Sequence, residues 1–514
     1  MAKLRLGIVI NDLLVPAWQS QVINSVLNSD HTHLSVLILN PPPPSKPLPF
    51  LLSLFKSYDN KKQLQAPDAT RLQDVSSLVK NTPVVDTSSA AIKELDAILD
   101  LSEAPISNSL LSLPPHGILS YYFGSTENKD AVAAYEVLTN KPILPSGLKM
   151  KTAGGEEKII YRSFSLTDPS SMKRSLNRCY WKSAAFPARM LKLLHDDPAA
   201  FNNIDIIANP IEDKELSNAS FAFNFISKTA KRVINRLKRG NTRRDWILMY
   251  NSACPPGRKI DLRDFKKLQA PRGFFWADPM VVKKNNTNYI FFEEYVYAAG
   301  RGRISVITQN EDGSFTPAQP ILDKPYHLSY PFVFQVGDKW YMIPETSENR
   351  TIDLYECVEF PHKWELKRTL IKNISAADST VIYHKGRWWL FTCVEEVAGS
   401  LLLDELSIFY TDDIINSELV AHPQNPVVSD VRRARPAGPL YIHNGSLYRP
   451  SQICAPWYGW GISINRVTKL SETEYEEQPG SLIRPELPAG IRGVHTLSYA
   501  GDLCIIDAIA NLKK

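Results

Sequence analysis

The sequence is poor in the features that mark the simplest functional classes. Its six cysteines (Cys179, Cys254, Cys357, Cys393, Cys454 and Cys504) are scattered without a CxxC pair. That argues against a zinc site or a disulfide framework and fits a reducing compartment. No run approaches the roughly 18 apolar residues of a membrane-spanning helix. The opening Met1-Ala-Lys-Leu-Arg-Leu-Gly-Ile-Val-Ile-Asn-Asp has neither the apolar core nor the cleavage site of a secretory signal. A cytoplasmic location is the expectation. Gly7 stands alone after the first apolar run, with no GxGxxG to cradle a dinucleotide. The ten histidines lack ligand spacing, so no metal and no cofactor is expected. Excess charge is also scarce, at +5 over 514 residues, and no basic module interleaved with aromatics suggests nucleic acid as a partner.

What is present reads as a globular, multidomain chain, 44% hydrophobic and 22% charged. Three regions are expected: an α/β (Rossmann-like) domain over 1–165, a helical connector over 166–254, and an all-β domain over 255–514. In the first, short apolar runs at 4–10 and 34–39 suit buried parallel strands. Between them Trp18, Val22, Ile23 and Val26 fall at helical spacing, and apolar segments at 92–99 and 117–123 precede a helix at 130–139.

In the connector, Ile226, Ala230, Val233, Ile234 and Leu237 form one apolar stripe of a helix. Lys228, Lys231, Arg232, Lys238 and Arg239 belong mainly to the rest of its surface, followed by Arg243 and Arg244. Two readings fit 226–244. One is a helix packed between domains with a solvated basic side. The other is a helix lying on an anionic membrane surface, which would place the protein peripherally at the inner membrane.

From residue 274 the chain turns to aromatic-rich alternating strands broken by Asn/Gly turns. Five hairpins recur, at Asn285-Asn286, Gly337-Asp338, Lys385-Gly386, Asn444-Gly445 and Gly501-Asp502. Taking Asn286, Gly337, Gly386, Gly445 and Gly501 as markers, the steps are 51, 49, 59 and 56 residues. A four-stranded propeller blade needs about fifty, so a C-terminal five-bladed β-propeller is predicted. Eight residues before each marker stand Asp278, Ser329, Asp378, Ala437 and Gly493. In a propeller such positions line the central channel, and two of the five are acids. Further channel candidates are Glu293, Glu294, Glu345, His327, Arg449, Gln452 and His495, with Trp276, Tyr330 and Trp457 as sugar-stacking aromatics.

Three resemblances sharpen these readings. Residues 4–165, centred on Leu111-Ser-Leu-Pro-Pro-His-Gly-Ile-Leu-Ser-Tyr-Tyr, resemble the catalytic domain of methionyl-tRNA and sugar-nucleotide formyltransferases. Ser120 and Tyr122 replace that family's Asn and His, and Thr152-Ala-Gly-Gly-Glu lacks its Asp. The resemblance therefore implies a degenerate formyltransferase-like domain that binds or scaffolds. Residues 270–510 resemble glycoside hydrolase family 43, with Asp278-Pro279 at the place of the base and Asp378 at that of the tuning acid. The acid Glu of blade four is replaced by Ala437, preceded by Arg433 and Arg435.

The run Trp276-Ala-Asp-Pro, His327-Leu-Ser-Tyr-Pro-Phe-Val-Phe, Ile343-Pro-Glu-Thr and Ala434-Arg-Pro-Ala-Gly is similar to the propeller of plant glucosamine inositolphosphorylceramide transferases. It is similar also to bacterial proteins that append this propeller to a formyltransferase-like domain.

A phosphate departs as an anion and suits guanidinium forks rather than a proton donor. The expected function is therefore a glycosyltransferase of cell-surface glycan assembly. It would take an activated, phosphorylated sugar donor and a glycan or glycolipid acceptor. Asp278 would be base or nucleophile, Asp378 its electrostatic partner, and Arg433 with Arg435 a phosphate clamp. Arg449, His327, Tyr330, Glu294, Gln452 and His495 would contact substrate. The rivals are a family-43-like hydrolase recruiting Glu345 or Glu294 as acid, and a non-catalytic glycan-binding propeller.

Overall fold

The computed structural model describes residues 2–42, 47–64, 66–102, 104, 114–126, 128–152, 155–204, 216–239, 242–484 and 490–513. Leu111–Leu113 and Ala153-Gly154 of the formyltransferase-like motifs lie outside these residues, as do 205–215 and 240–241 of the connector and the side chains of Leu237, Lys238 and Arg239. The chain divides into two compact units, Met1–Asn235 with Glu396–Leu401, and Arg236–Glu395 with Leu402–Lys514.

The first unit is built on a seven-stranded sheet. Five strands run parallel, in the order Val84–Asp86, Thr32–Leu39, Leu4–Ile10, Ala97–Asp100 and Ile118–Phe123. Ile143–Lys151 and Glu157–Leu166 add two antiparallel strands at one edge. Both faces of the first strand are buried, which is why it reads as a continuous apolar run. Leu6, Ile8 and Ile10 pack with Trp18, Val22 and Phe186 on one side. Val9 packs with Ile38, Ile92 and Ile98 on the other.

The second unit is the five-bladed β-propeller. Blades one to four follow in chain order, and their inner hairpins are Phe274–Lys284 with Thr287–Val296, Ser329–Val336 with Lys339–Glu345, Ala376–His384 with Arg387–Val394, and Tyr441–His443 with Ser446–Ile453. Blade five takes its two inner strands, Ile491–Ala500 and Leu503–Lys513, from the C-terminal segment. Its two outer strands, Thr242–Asn251 and Lys266–Leu268, come from far upstream. Residues 242–251, assigned by sequence to a helical connector, are therefore a strand of blade five. Their alternation Trp246-Ile-Leu-Met-Tyr packs against the equally apolar Cys504–Ala510, a long-range pairing that local pattern does not reveal.

All five predicted hairpins are present. In three of them, Asn285-Asn286, Lys385-Gly386 and Asn444-Gly445, both turn residues have positive φ, as the tightest two-residue β-hairpin turn requires. Blade four is the irregular one: its inner strand spans only Tyr441–His443.

Candidate functional site in the propeller

Four inner strands carry a β-bulge at the same height, with two residues opposed to one. These are Asp278-Pro279 against Phe292, Tyr330-Pro331 against Pro344, Asp378-Ser379 against Thr392, and His495-Thr496 against Asp507. The first bulge residue is left-handed at Asp278 (φ 52°), Tyr330 (φ 42°) and Asp378 (φ 55°). Holding a non-glycine residue there costs on the order of 1–3 kcal/mol, and bulges of this kind re-aim a side chain. In blade four the corresponding stretch is Ala437-Gly438. Gly438 has φ 120°, and a Cβ on it would lie 1.8 Å from the Leu497 carbonyl oxygen. The ring is therefore Asp278, Tyr330, Asp378, Ala437-Gly438 and His495. Ser329 and Gly493, given by counting back from the turns, sit one and two residues short. Gly337 and Gly501 are the first rather than the second residues of their turns, and the blade-five strand is in addition one residue shorter beyond its bulge.

Glu293 and Glu345 occupy equivalent places on the second strands of blades one and two. Each pairs with the residue just before the bulge, Ala277 or Ser329.

Two charged clusters meet at this ring. In the first, Arg435 donates to Asp378 from Nε (2.5 Å to Oδ2) and Nη2 (3.1 Å to Oδ1). Its Nη2 also lies 3.4 Å from Glu345 Oε2, and Nη1 donates to the Leu402 carbonyl at 2.8 Å. The guanidinium stands 5.2 Å over the ring of Tyr458. Gln452 Nε2 donates to Asp378 Oδ2 at 2.6 Å. Burial, with Glu345 and Asp278 nearby, pushes the Asp378 carboxyl well up against the pull of Arg435. Burial works against the charge on Arg435 too, but Asp378, Tyr458 and Glu345 over-compensate and hold it protonated.

In the second cluster, His495 stands between two carboxylates. Nδ1 lies 2.5 Å from Asp507 Oδ2, and Nε2 lies 3.4 Å from Asp278 Oδ1. Asp507 accepts the backbone N–H groups of Asp278, His495 and Thr496, and the Thr496 hydroxyl donates to Asp278 Oδ1 at 2.8 Å. Trp246 stacks on the imidazole at 4.0 Å and 22°. Burial alone would lower the imidazole pKa, but Asp507 and Asp278 overcome it and raise it. Asp278 is raised by burial and by Asp507, with His495 opposing. Asp278, His495 and Asp507 bring one ligand atom each within 4.8 Å of one another. Among the described residues of the propeller they are the side chains best placed to hold a cation. Their hydrogen bonds already engage both oxygens of Asp507.

Tyr330 bridges the strands across the ring. Its hydroxyl accepts the Gly438 N–H at 2.7 Å and pairs with Thr380 at 2.8 Å. Glu293 is buried, and burial together with Asp278 and Glu345 pushes its carboxyl well above the ordinary range. Its nearest cationic candidate is His327, 3.5 Å away through Nε2. Because His327 Nδ1 accepts the Gly302 N–H at 2.9 Å, the neutral ring carries its proton on Nε2, facing Glu293.

The structure thus brings together Asp278, Asp378, Glu345, Arg435, Gln452, Tyr330 and His495, with His327 at Glu293. It separates three other candidates. Glu294 points to the opposite side of its strand and accepts from Arg303, Ser305 and Trp276. Arg449 is fully buried and committed to Glu477 at 2.8 Å through Nε and 2.8 Å through Nη2, and to the Arg433 carbonyl. Arg433 lies 3.8 Å from Glu477 and 3.7 Å from Asp430, away from Asp378. Strand alternation does not apply to these arginines, because 431–433 form a turn. Of the stacking candidates, Trp276 and Tyr330 are buried and Trp457 is 47% exposed.

Asp507 and Trp246 were missed. Asp507 was legible as the single charge in the apolar run Leu503-Cys-Ile-Ile-Asp-Ala-Ile-Ala. Trp246 was hidden in a segment assigned elsewhere.

Residues 263–488 match the family described as Glucosamine inositolphosphorylceramide transferase 1, N-terminal. Among curated proteins, Glucosamine inositolphosphorylceramide transferase 1 of Oryza sativa subsp. japonica is 34% identical over 230 residues, 44% of this chain and 30% of that one. The protein of the same name from Arabidopsis thaliana is 33% identical over 206 residues, 40% of this chain and 27% of that one. The chain thus spans less than a third of the length of the curated relatives it matches. Solved structures with a likeness include an exo-1,5-alpha-L-arabinanase from a bovine ruminal metagenomic library, at 16% identity and TM-score 0.33 over 48% of this chain and 97% of that one. They include also the beta-xylosidase RS223, at 12% identity and TM-score 0.35 over 46% and 92%. On sequence, the propeller is similar to the N-terminal region of the plant glucosamine inositolphosphorylceramide transferases.

Proposed function

We propose that the protein is a glycosyltransferase whose propeller ring binds a phosphorylated sugar donor and transfers the sugar to a glycan or glycolipid hydroxyl. The observation that carries this reading is Arg435. A fixed guanidinium fork reaches the acidic ring from blade four, where a proton-donating acid would serve hydrolysis. The sequence likeness to plant transferases supports the same reaction class.

In this reading Asp278 takes the proton of the acceptor hydroxyl as its oxygen bonds to the anomeric carbon. The bond from that carbon to the phosphate oxygen breaks, and the phosphate leaves as an anion beside Arg435. Asp378 and Gln452 aim the guanidinium. The 3.4 Å contact to Glu345 is the weakest of its partners and the one a phosphate oxygen displaces. Trp457 and Tyr458 offer ring faces for a sugar. The α/β unit serves as a binding or scaffolding domain.

A panel of nucleotide- and lipid-phosphate sugars tests this by calorimetric binding and by turnover with glycolipid acceptors. The Asp278→Asn protein should keep donor affinity and lose about 10²–10⁴-fold in turnover, the usual weight of a general base. If the wild-type protein bound none of these donors, the proposal would fail. A hydrolase would take as its acid Glu293, whose carboxyl burial raises well above the ordinary range, rather than the Glu345 or Glu294 expected from sequence, and turnover of an uncharged aryl glycoside would favour that reading.

A further inference from the structure

The helix Asn218–Arg239, within the first unit as far as Asn235, turns its apolar side away from its own domain. Its 22 residues carry six Lys or Arg and no Asp or Glu. At about 100° per residue, Phe223, Ile226, Ala230, Val233 and Ile234 fall within an arc of about 100°. Phe221 and Lys228, the residues through which the helix is anchored, lie about 180° from the middle of that arc. Phe221 packs among Leu52, Val137, Leu138 and Met172, and the Lys228 ammonium donates to the Val137 carbonyl. Among the described residues nothing covers the amphipathic stripe: Phe223 is 74% exposed, Ile226 67%, Val233 53% and Ile234 48%. From Thr229 to Ile234 every residue is exposed.

The neighbouring helix Phe50–Asp59 extends the same surface. Phe50, Leu54 and Tyr58 recur every fourth residue and are exposed. Leu54 and Tyr58 with Phe225 and Ile226 border a groove of about 400 Å³ whose walls are almost wholly apolar.

We infer that this two-helix surface docks onto an anionic lipid bilayer, lying in the plane of the headgroups. An apolar arc flanked by Lys231, in a helix with six cations and no acid, is what a negatively charged interface selects. A second copy of this chain is the poorer occupant, since apposing two such helices brings together two sets of cations with no acid from either helix to pair them. No described helix is long and apolar enough to cross a membrane.

The test is flotation of the full-length protein with vesicles of phosphatidylcholine alone or mixed with phosphatidylserine. Binding is expected only to the mixed vesicles and should weaken as salt is raised. Both Ile226→Ser with Val233→Ser and Lys231→Glu should weaken it, the pair about tenfold or more. These side chains are exposed, so circular dichroism should be unchanged. A Phe223→Trp protein should show a blue-shifted emission on mixed vesicles. Absence of partition, equal partition onto neutral vesicles, or an unshifted Trp emission overturns the inference. So does a concentration-dependent dimer abolished by the Ile226/Val233 pair, which would make a second copy the occupant.

Discussion

Arg435 grips Asp378 with two nitrogens and reaches Glu345 with one of them, so a single guanidinium ties together side chains from three blades. Removing it leaves two acids facing each other in a largely buried site. Breaking a buried pair by deleting one partner costs about 3–5 kcal/mol, so Arg435→Ala should lower the midpoint of chemical denaturation markedly. Arg435→Lys restores a charge without the planar fork. It should recover part of that stability while donor affinity stays weak. Denaturation and calorimetry on both variants separate the two effects. Full donor affinity in the lysine variant would detach Arg435 from the donor.

Arg449 makes the complementary case. It looks like a ligand residue in sequence, yet its side chain is wholly buried against Glu477, Tyr475 and two backbone carbonyls. Arg449→Met should destabilise the propeller by about 3–5 kcal/mol, and at temperatures where the variant remains folded it should bind donor like the wild type. A loss of donor affinity in a folded Arg449→Met protein would return Arg449 to the site.

Much of the propeller was legible because its signals are local. Two-residue turns of Asn and Gly fix each hairpin, and the spacing of Asn286, Gly337, Gly386, Gly445 and Gly501 gives the blade count. Asp278 and Asp378 recur at one register, so they too could be read. Turn phase is less visible: Gly337 and Gly501 open their turns where the other markers close them, which moves the counted position one residue short of Tyr330, and a strand one residue shorter moves it two short of His495. The choice between Glu293 and Glu294 turns on the same phase. Aligning Phe291-Phe-Glu with Ile343-Pro-Glu would have selected Glu293 as the counterpart of Glu345. Closure of blade five by Thr242–Asn251 depends on partners more than 250 residues away, beyond any local pattern.

The α/β unit should not transfer a formyl group from a folate donor to an amino-sugar nucleotide. Ser120 and Tyr122 stand on the strand Ile118–Phe123. The Tyr122 phenol is buried, and burial pushes it up to about 12, so it is no acid–base group at neutral pH. Chromatographic detection of a formylated product settles the point. Product formation that disappears on Tyr122→Phe would show that the domain is catalytic.

Glu293 holds its proton to higher pH in the folded protein because burial, Asp278 and Glu345 all raise its carboxyl above the ordinary 4.5. An unfolded chain releases that proton near the ordinary value. Between the two values the folded state holds more protons than the unfolded one, so Glu293 makes stability fall as pH rises. Glu293→Gln keeps the shape and removes the titration. The variant should therefore gain stability relative to the wild type as pH climbs from the ordinary value towards the raised folded one, with the gain vanishing in acid below the ordinary value. His495 also has a raised pKa. Its contribution is complete below the ordinary 6.5 and is lost as pH rises through the folded value, a trend of the same sign. The difference between variant and wild type is thus the quantity to follow, by thermal denaturation across the series. A difference that stays flat with pH would mean that Glu293 ionises normally, and the hydrolase reading would lose its protonated acid.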